Sequence, residues 1–313
     1  MIILDIIIII LIFIIVFMVL SGVFSLCERK ILAIFQLRIG PGLFLFGIIT
    51  PITDGVKLFI KFILFIISID ILYLVISLYI TIVCMYIIWF FFPIGYIIFY
   101  DLNFSLLLLL GLHLLNNVFG IFLVGCFLFS SCFVYLAAMR ALLFSILAEA
   151  SVSISLYIFY LLDFFSFFSL KDIAINQLFI NNIFIVGILF YLLFNVTILL
   201  DGLRIPFDYL ECESELVAGL IVEMSGFFFV IYSLMEINHI LLSSILIVCL
   251  NFGGILISFK SLFILILTFL VPRAIGCRMK ITTAQTFIIL FLYCIIFLIF
   301  IWLSITKILT ILI

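Results

Sequence analysis

Met1-Ile-Ile-Leu-Asp5-Ile-Ile-Ile-Ile-Ile10-Leu-Ile-Phe-Ile-Ile15-Val-Phe-Met-Val-Leu20-Ser-Gly-Val-Phe24-Ser-Leu-Cys27-Glu28-Arg29-Lys30 is the stretch that decides the fold class. A bilayer core accepts about 20 apolar residues as a helix. This stretch fills that length with a single acid, Asp5, before three consecutive charges arrive. No basic segment precedes it, its apolar run exceeds a signal-peptide core, and no small-residue cleavage site separates it from Glu28-Arg29-Lys30. It is expected to be a retained first membrane span.

The rest of the chain repeats the pattern. Of 313 residues, 70% are hydrophobic and 9% charged, and the mean hydropathy is +1.71. A soluble domain is about half apolar and a quarter charged. Too little polar surface exists here to cover a water-soluble globule, so the lipid bilayer is the expected solvent. The formal net charge of −2 leaves no basic excess for a nucleic-acid partner, and none is expected. Cysteines at 27, 84, 126, 132, 212, 249, 277 and 294 form no CxxC pair. They are read as small buried hydrophobes, with no metal site and no redox centre on this chain. The 41 Phe and homopolymeric runs such as Ile6–Ile10 fit an AT-rich organellar genome.

An all-α, polytopic membrane protein with about eight transmembrane helices and amphipathic interfacial helices is therefore expected, as one domain over 1–313. Spans fall near 2–26, 70–92, 104–128, 133–162, 183–200, 217–236, 255–272 and 285–306, while 62–69 and 240–252 are also apolar enough to enter the membrane. Basic residues gather on one side. They are Arg29, Lys30, Arg38, Lys57 and Lys61 in 27–61, Arg140 at the start of the fourth span, Arg204, and Arg273, Arg278 and Lys280. By the positive-inside rule that side faces the cytoplasm or mitochondrial matrix, and both termini face the other compartment.

Three groups of residues carry chemistry. Segment 28–61 interleaves charges with Ile31, Leu32, Ile34, Phe35 and Leu37, and reads as short interfacial helices broken at Gly40-Pro41-Gly42 and at Pro51. Asp54, Lys57 and Lys61 fall on one helical face. Such a segment is either a basic stripe on lipid headgroups or a ledge admitting an amphiphile from the membrane. In 201–217, Asp201, Asp208, Glu211, Glu213 and Glu215 crowd together around Phe207, and Glu223 continues the series into an apolar run. Like charges this dense disfavour one another's ionised form, so the series either holds and passes protons or is a solvated acidic loop. Lastly, Arg140 and Glu149 lie about 13 Å apart along one helix, and Glu223 and Glu236 bracket another span. Charges within the bilayer cost several kcal/mol unless they meet partners or water, so they mark function or an interhelical polar pair. His113 and His239 stand alone in the sequence, and no role is assigned to them.

At these residues the chain resembles a known family, subunit 1 of NADH:quinone oxidoreductase (complex I). The likeness runs through Glu28-Arg-Lys with Gln36-Leu-Arg-Ile-Gly-Pro41, through Pro51 to Lys61, and through Leu136 to Glu149 with Arg140. It continues through Arg204-Ile-Pro206-Phe-Asp208, Glu211-Cys-Glu-Ser-Glu-Leu-Val217 to Glu223, and Arg273-Ala with Arg278. Phe62, Gly42, Asp201 and Cys277 depart from the family's usual residues.

The resemblance implies a mitochondrial inner-membrane, multi-pass subunit (bacterial plasma membrane if prokaryotic) of a proton-translocating NADH:ubiquinone reductase. Its partners would be peripheral-arm subunits bearing the terminal iron–sulfur cluster and the quinone headgroup site, together with neighbouring membrane-arm subunits. NAD, FMN and the clusters would sit in other subunits, with ubiquinone as substrate at the interface. Arg29, Arg38, Asp54, Gly55, Lys57, Phe59, Phe207, Arg273 and Arg278 would line the quinone tunnel. Glu149, Asp201, Asp208, Glu211, Glu213, Glu215, Glu223 and Glu236 would carry protons. The homologous subunit of a membrane-bound hydrogenase shares much of the signature. A stand-alone channel or transporter with a buried acidic pathway is the competing class, although no paired repeat is visible.

Overall fold

The computed structural model describes residues 2–42, 47–61, 71–91, 132–161, 226–247 and 270–312, with short pieces between 191 and 208. Among the described residues every regular element is a helix: α1 (Ile2–Phe35), α2 (Thr50–Ile60), α3 (Ile71–Phe91), α4 (Cys132–Leu161), α5 (Gly226–Ile247), α6 (Val271–Ile275) and α7 (Ile281–Leu312). Within them, Cys132–Ala150, Gly226–Ile245 and Ile281–Ile301 are long and apolar enough to cross a membrane, and Val75–Ile87 is a shorter apolar stretch. The spans expected at 104–128 and at 255–272 (apart from its last residues) lie outside the described residues. That at 183–200 is described at 191–193, 195–197 and 199–200, all helical.

Helix α4 shows what holds these elements together. Its buried positions are mostly small: Val134, Ala137, Ala138, Ala141, Ser145 and Ala148, with Phe144 the bulky exception. Its exposed positions are large and apolar: Phe133, Tyr135, Leu136, Met139, Leu143 and Ile146. A water-soluble helix would do the opposite. In lipid there is no hydrophobic gain from helix association, so packing must come from close backbone approach, which small residues permit. Helix α7 has the same polarity. Ala284, Ile288, Leu292, Ile295 and Ile299 recur at three- and four-residue steps on its buried side, while Phe287, Leu290, Tyr293, Phe297 and Phe300 face outward. It packs against α4.

Helix α5 is the hub, touching α1, α2 and α3. Tyr232 and Met235 of α5, Leu78 of α3, and Val134, Ala138 and Ala141 of α4 form one core cluster. The buried Thr81 hydroxyl donates to Leu78 O (2.9 Å) inside α3 and lies 3.3 Å from Met235 Sδ. Its polar atom is thus satisfied without water.

Three outcomes differ from the sequence reading. First, α1 does not end where the apolar run ends. Its 34 residues span about 51 Å at 1.5 Å per residue, against a hydrocarbon core of roughly 30 Å. Glu28, Arg29 and Lys30 therefore ride on a continuous helical extension. The helix stops by a Schellman motif, with Leu37 N–H donating to Ile34 O (3.1 Å) and Arg38 N–H to Ala33 O (2.9 Å). The left-handed position, φ 53°, is held by Leu37 where glycine is usual.

Second, Pro51 starts α2 rather than breaking a helix, since its fixed φ suits the first turn and its missing N–H is not needed there. That helix closes at Ile60, and Lys61 turns into extended backbone, off the face it was expected to share with Asp54 and Lys57. Third, the helix α5, described from Gly226 on, runs past Glu236 to Ile247, which carries Glu236 from the expected span end into the helix interior, while 217–225 of that expected span lie outside the described residues. The cysteines also differ: Cys27, Cys132, Cys277 and Cys294 are exposed free thiols rather than buried ones.

The α2–α5 junction turns on Gly226, at φ +41°. A Cβ there would come within 3.0 Å of Leu58 O and 3.1 Å of Lys61 O, both backbone atoms that cannot step aside. Gly226→Val is expected to cost roughly 1–3 kcal/mol from strain alone, read as a lower melting temperature of the purified assembly. Gly55→Ala, where nothing lies within 4 Å of the new Cβ, is expected to leave it unchanged or raise it slightly. Equal melting of the Gly226→Val and parent proteins would remove the junction's importance.

Candidate functional site at the polar end of the helices

The charges expected on one face are brought together by two adjacent residues of α1. Neighbouring positions on a helix point about 100° apart, so Glu28 and Arg29 reach different partners. Arg29 Nη1 donates to Asp54 Oδ2 of α2 at 2.8 Å, with both side chains well exposed (57% and 43%). Glu28 pairs with Arg273 of α6, and there the side chains are only 11% and 19% exposed. Burial pushes the Arg273 guanidinium below its usual range, and the facing carboxylate opposes that by favouring the charged form.

The 204–208 loop joins this end through its backbone. Phe207 N–H donates to Arg204 O (2.8 Å), and Met279 N–H donates to Pro206 O (3.2 Å). Gly276 brings its backbone against Pro206, where an added Cβ would lie 3.7 Å from the ring but 2.6 Å from Pro272 O. The Pro272 carbonyl therefore requires glycine at 276, while the contact with Pro206 would be an ordinary one. Phe207 is buried and Asp208 half-buried. From the same loop Arg204 Nη2 reaches Glu236 Oε2 of α5 at 3.2 Å, each side chain 17% exposed.

The expected residues divide as follows. Arg29, Asp54 and Arg273 join in ion pairs at this end, and Phe207 is buried in the 204–208 loop. Arg278 is half-buried on the segment that hydrogen-bonds Pro206, whereas Arg38 and Lys57 are exposed. Gly55 is half-buried, and its Cβ direction meets nothing within 4 Å. Phe59, one turn on, tilts against Phe227 with ring centroids 5.7 Å apart. Glu149 lies in α4 with Oε1 buried and without a hydrogen-bond partner among the described residues. Asp201, Glu211, Glu213, Glu215 and Glu223 lie outside the described residues.

Sequence reasoning missed Glu28 and Arg204 as site members. Their signal was their sign: each is the charge complementary to a residue singled out far along the chain, Arg273 and Glu236. Pairing across more than 30 positions cannot be read from spacing along one helix.

The two α1 ion pairs differ in burial, and so in energetic weight. Removing one partner of a buried pair leaves an uncompensated charge and costs about 3–5 kcal/mol. Exposed pairs are worth about 0.2–1 kcal/mol. Arg273→Ala is thus expected to lower the stability of the assembly markedly and Asp54→Asn hardly at all, as measured by thermal denaturation. A larger loss for Asp54→Asn would reverse this ranking.

Comparison with known proteins bears on this arrangement. The NADH dehydrogenase family matches residues 7–306. NADH-ubiquinone oxidoreductase chain 1 of Leishmania tarentolae is 56% identical over 309 residues, 99% of each chain. Proteins of the same name from Chondrus crispus and Strongylocentrotus purpuratus are 32% and 35% identical, over 74% of this chain and 70% of theirs. With a match nearly from end to end, this chain belongs to the NADH dehydrogenase family, that of chain 1 of NADH-ubiquinone oxidoreductase.

Proposed function

We propose that this chain, as a membrane subunit of NADH:ubiquinone oxidoreductase in the mitochondrial inner membrane, lines the access path of ubiquinone and carries carboxylates that couple quinone reduction to proton translocation. The names of its relatives favour the oxidoreductase over a hydrogenase subunit or a free-standing transporter. NAD, FMN and iron–sulfur clusters are assigned to other subunits, with the peripheral arm docking on the polar end and neighbouring membrane-arm subunits along the helices.

The observation that carries the coupling half is the placement of carboxylates inside helices of membrane-crossing length: Glu149 in α4, with a buried oxygen lacking a donor among the described residues, and Glu236 in α5. An ionised carboxylate without donors is costly in lipid, so such a group gains by taking a proton. It can then give the proton up when a charge nearby changes. Asp201, Asp208, Glu211, Glu213, Glu215 and Glu223 are proposed to extend the series toward the polar end.

For quinone, the tail needs an apolar wall and the headgroup a polar one. Helix α2 offers both within a few residues, with Gly55 and Phe59 near Asp54, while Arg29, Arg38, Lys57, Phe207, Arg273 and Arg278 supply the more polar surroundings.

Two measurements test the two halves. Glu149→Gln in the assembled enzyme should lower proton pumping and quinone-linked turnover by about tenfold or more, the scale of a lost proton-transfer group. NADH oxidation by a hydrophilic artificial acceptor should stay near the parent rate. Normal coupled pumping would exclude Glu149 from the path. Gly55→Leu should raise KM for long-tailed quinone several-fold and change the response to quinone-site inhibitors, with assembly intact. Parent quinone kinetics and inhibitor response in that variant would place the access path elsewhere.

A further inference from the structure

Helix α5 is enclosed most completely in its second half. Asn238, His239, Ile240, Leu241, Leu242, Ser243, Ser244 and Ile245 are all buried, so consecutive residues facing every direction are covered. Polar side chains there cannot reach water. Ser243 and Ser244 satisfy themselves by donating to Ile240 O (2.9 Å) and Leu241 O (2.7 Å) of their own helix. Asn238 leaves Oδ1 buried without a hydrogen-bond partner among the described residues. His239 is 3% exposed and sits three positions after Glu236, a separation that puts the two Cβ atoms roughly 5–6 Å apart on the helix surface. Glu236 is the residue that Arg204 holds from the 204–208 loop.

We propose that His239 is a proton-holding partner of Glu236. Of all side chains, imidazole has the ordinary affinity best suited to exchanging a proton near neutrality. A proton on the Glu236 carboxyl passes to the unprotonated ring nitrogen of His239, directly or through one water. The O–H bond breaks, an N–H bond forms, and no electron moves. The carboxylate left behind keeps the Arg204 guanidinium as its partner and has the new imidazolium one turn away, so the charge created by the transfer is compensated. Return of the proton restores a neutral ring. Arg204 acts as a positioning residue here, fixing the carboxylate and linking its charge state to the polar end through the 204–208 loop. A ring serving only to fill space would need no titratable neighbour one turn away. A ring serving only as a hydrogen-bond donor or acceptor could be replaced by an amide.

That last contrast supplies the test, which rests on the reading of Glu236 as a member of the proton path. His239→Gln and Glu236→Gln are compared in the assembled enzyme in sealed vesicles, scoring protons pumped, quinone-linked NADH oxidation, and oxidation by a hydrophilic acceptor. The amide in His239→Gln keeps a donor and an acceptor but cannot hold the extra proton. It is expected to lose pumping and quinone-linked turnover five-fold or more at an unchanged hydrophilic-acceptor rate. Loss in Glu236→Gln with parent-like pumping in His239→Gln overturns the role of His239 alone. Parent-like pumping in Glu236→Gln overturns the proton-path assignment of Glu236 beneath it. Should His239→Gln fail to assemble, His239→Lys decides. An assembled Lys enzyme that pumps supports proton holding at this position, and its absence overturns the proposal.

Discussion

Two neighbouring charges at the end of one long helix, Glu28 and Arg29, organise the polar end of this protein. Because they project in different directions, one reaches Arg273 and the other Asp54. Elements distant in sequence are thereby tied to a single turn of α1. The buried pair carries the greater energetic consequence, since neither of its charges can fall back on water. The exposed pair adds a tie to α2, a helix with no buried residue of its own, whose position is set mainly by its packing on α5 at Gly226 and Phe227. The 204–208 loop then attaches through Met279 N–H to Pro206 O, the backbone of Gly276 beside the proline ring, and the Arg204 side chain on Glu236.

Below that end, a different rule applies. Helix α4 places mostly small residues inward, α7 places Ala284 with Ile and Leu inward, and both turn aromatic residues outward. Association in lipid depends on contact rather than on removal of apolar surface from water. The same rule makes every internal polar group conspicuous. Serine and threonine hydroxyls here donate to carbonyls of their own helices. Glu149, Asn238 and the Arg204–Glu236 pair do not fit that pattern, and they cluster the functional questions in α4 and α5.

The all-α class was legible because it needs only composition and run length, and helices α3 and α4 lie where those runs lie. The termination of α1 was not. An apolar window sees the bilayer boundary near Leu26, whereas the backbone continues until Leu37 takes the left-handed turn that ends it, a conformation Leu does not advertise. The extent of α5 was hidden in the same way. An apolar window that closes at Glu236 does not see that the backbone runs on as helix to Ile247. At the site, Arg29, Asp54, Arg273, Phe207 and Glu236 were legible as charges or aromatics in unusual surroundings. Their partners were not, because Glu28–Arg273 and Arg204–Glu236 join residues whose proximity depends on how whole helices pack. His239 was passed over since burial, which makes it chemically interesting, leaves no mark on the sequence around a single histidine.

The unbroken course of α1 has a mechanical consequence. A helix of 34 residues behaves as a stiff rod of about 51 Å, and rods in membranes tilt to match the thickness around them. A rotation of about 3° about one end displaces the other by roughly 2.7 Å, half a helical pitch. Glu28 and Arg29 ride in the last third of that rod, where the lever arm is long. Hydrogen-bonded ion pairs reach only about 3 Å, so they register such a swing almost in full. The membrane's own thickness thus becomes one of the quantities that sets the geometry of the polar end.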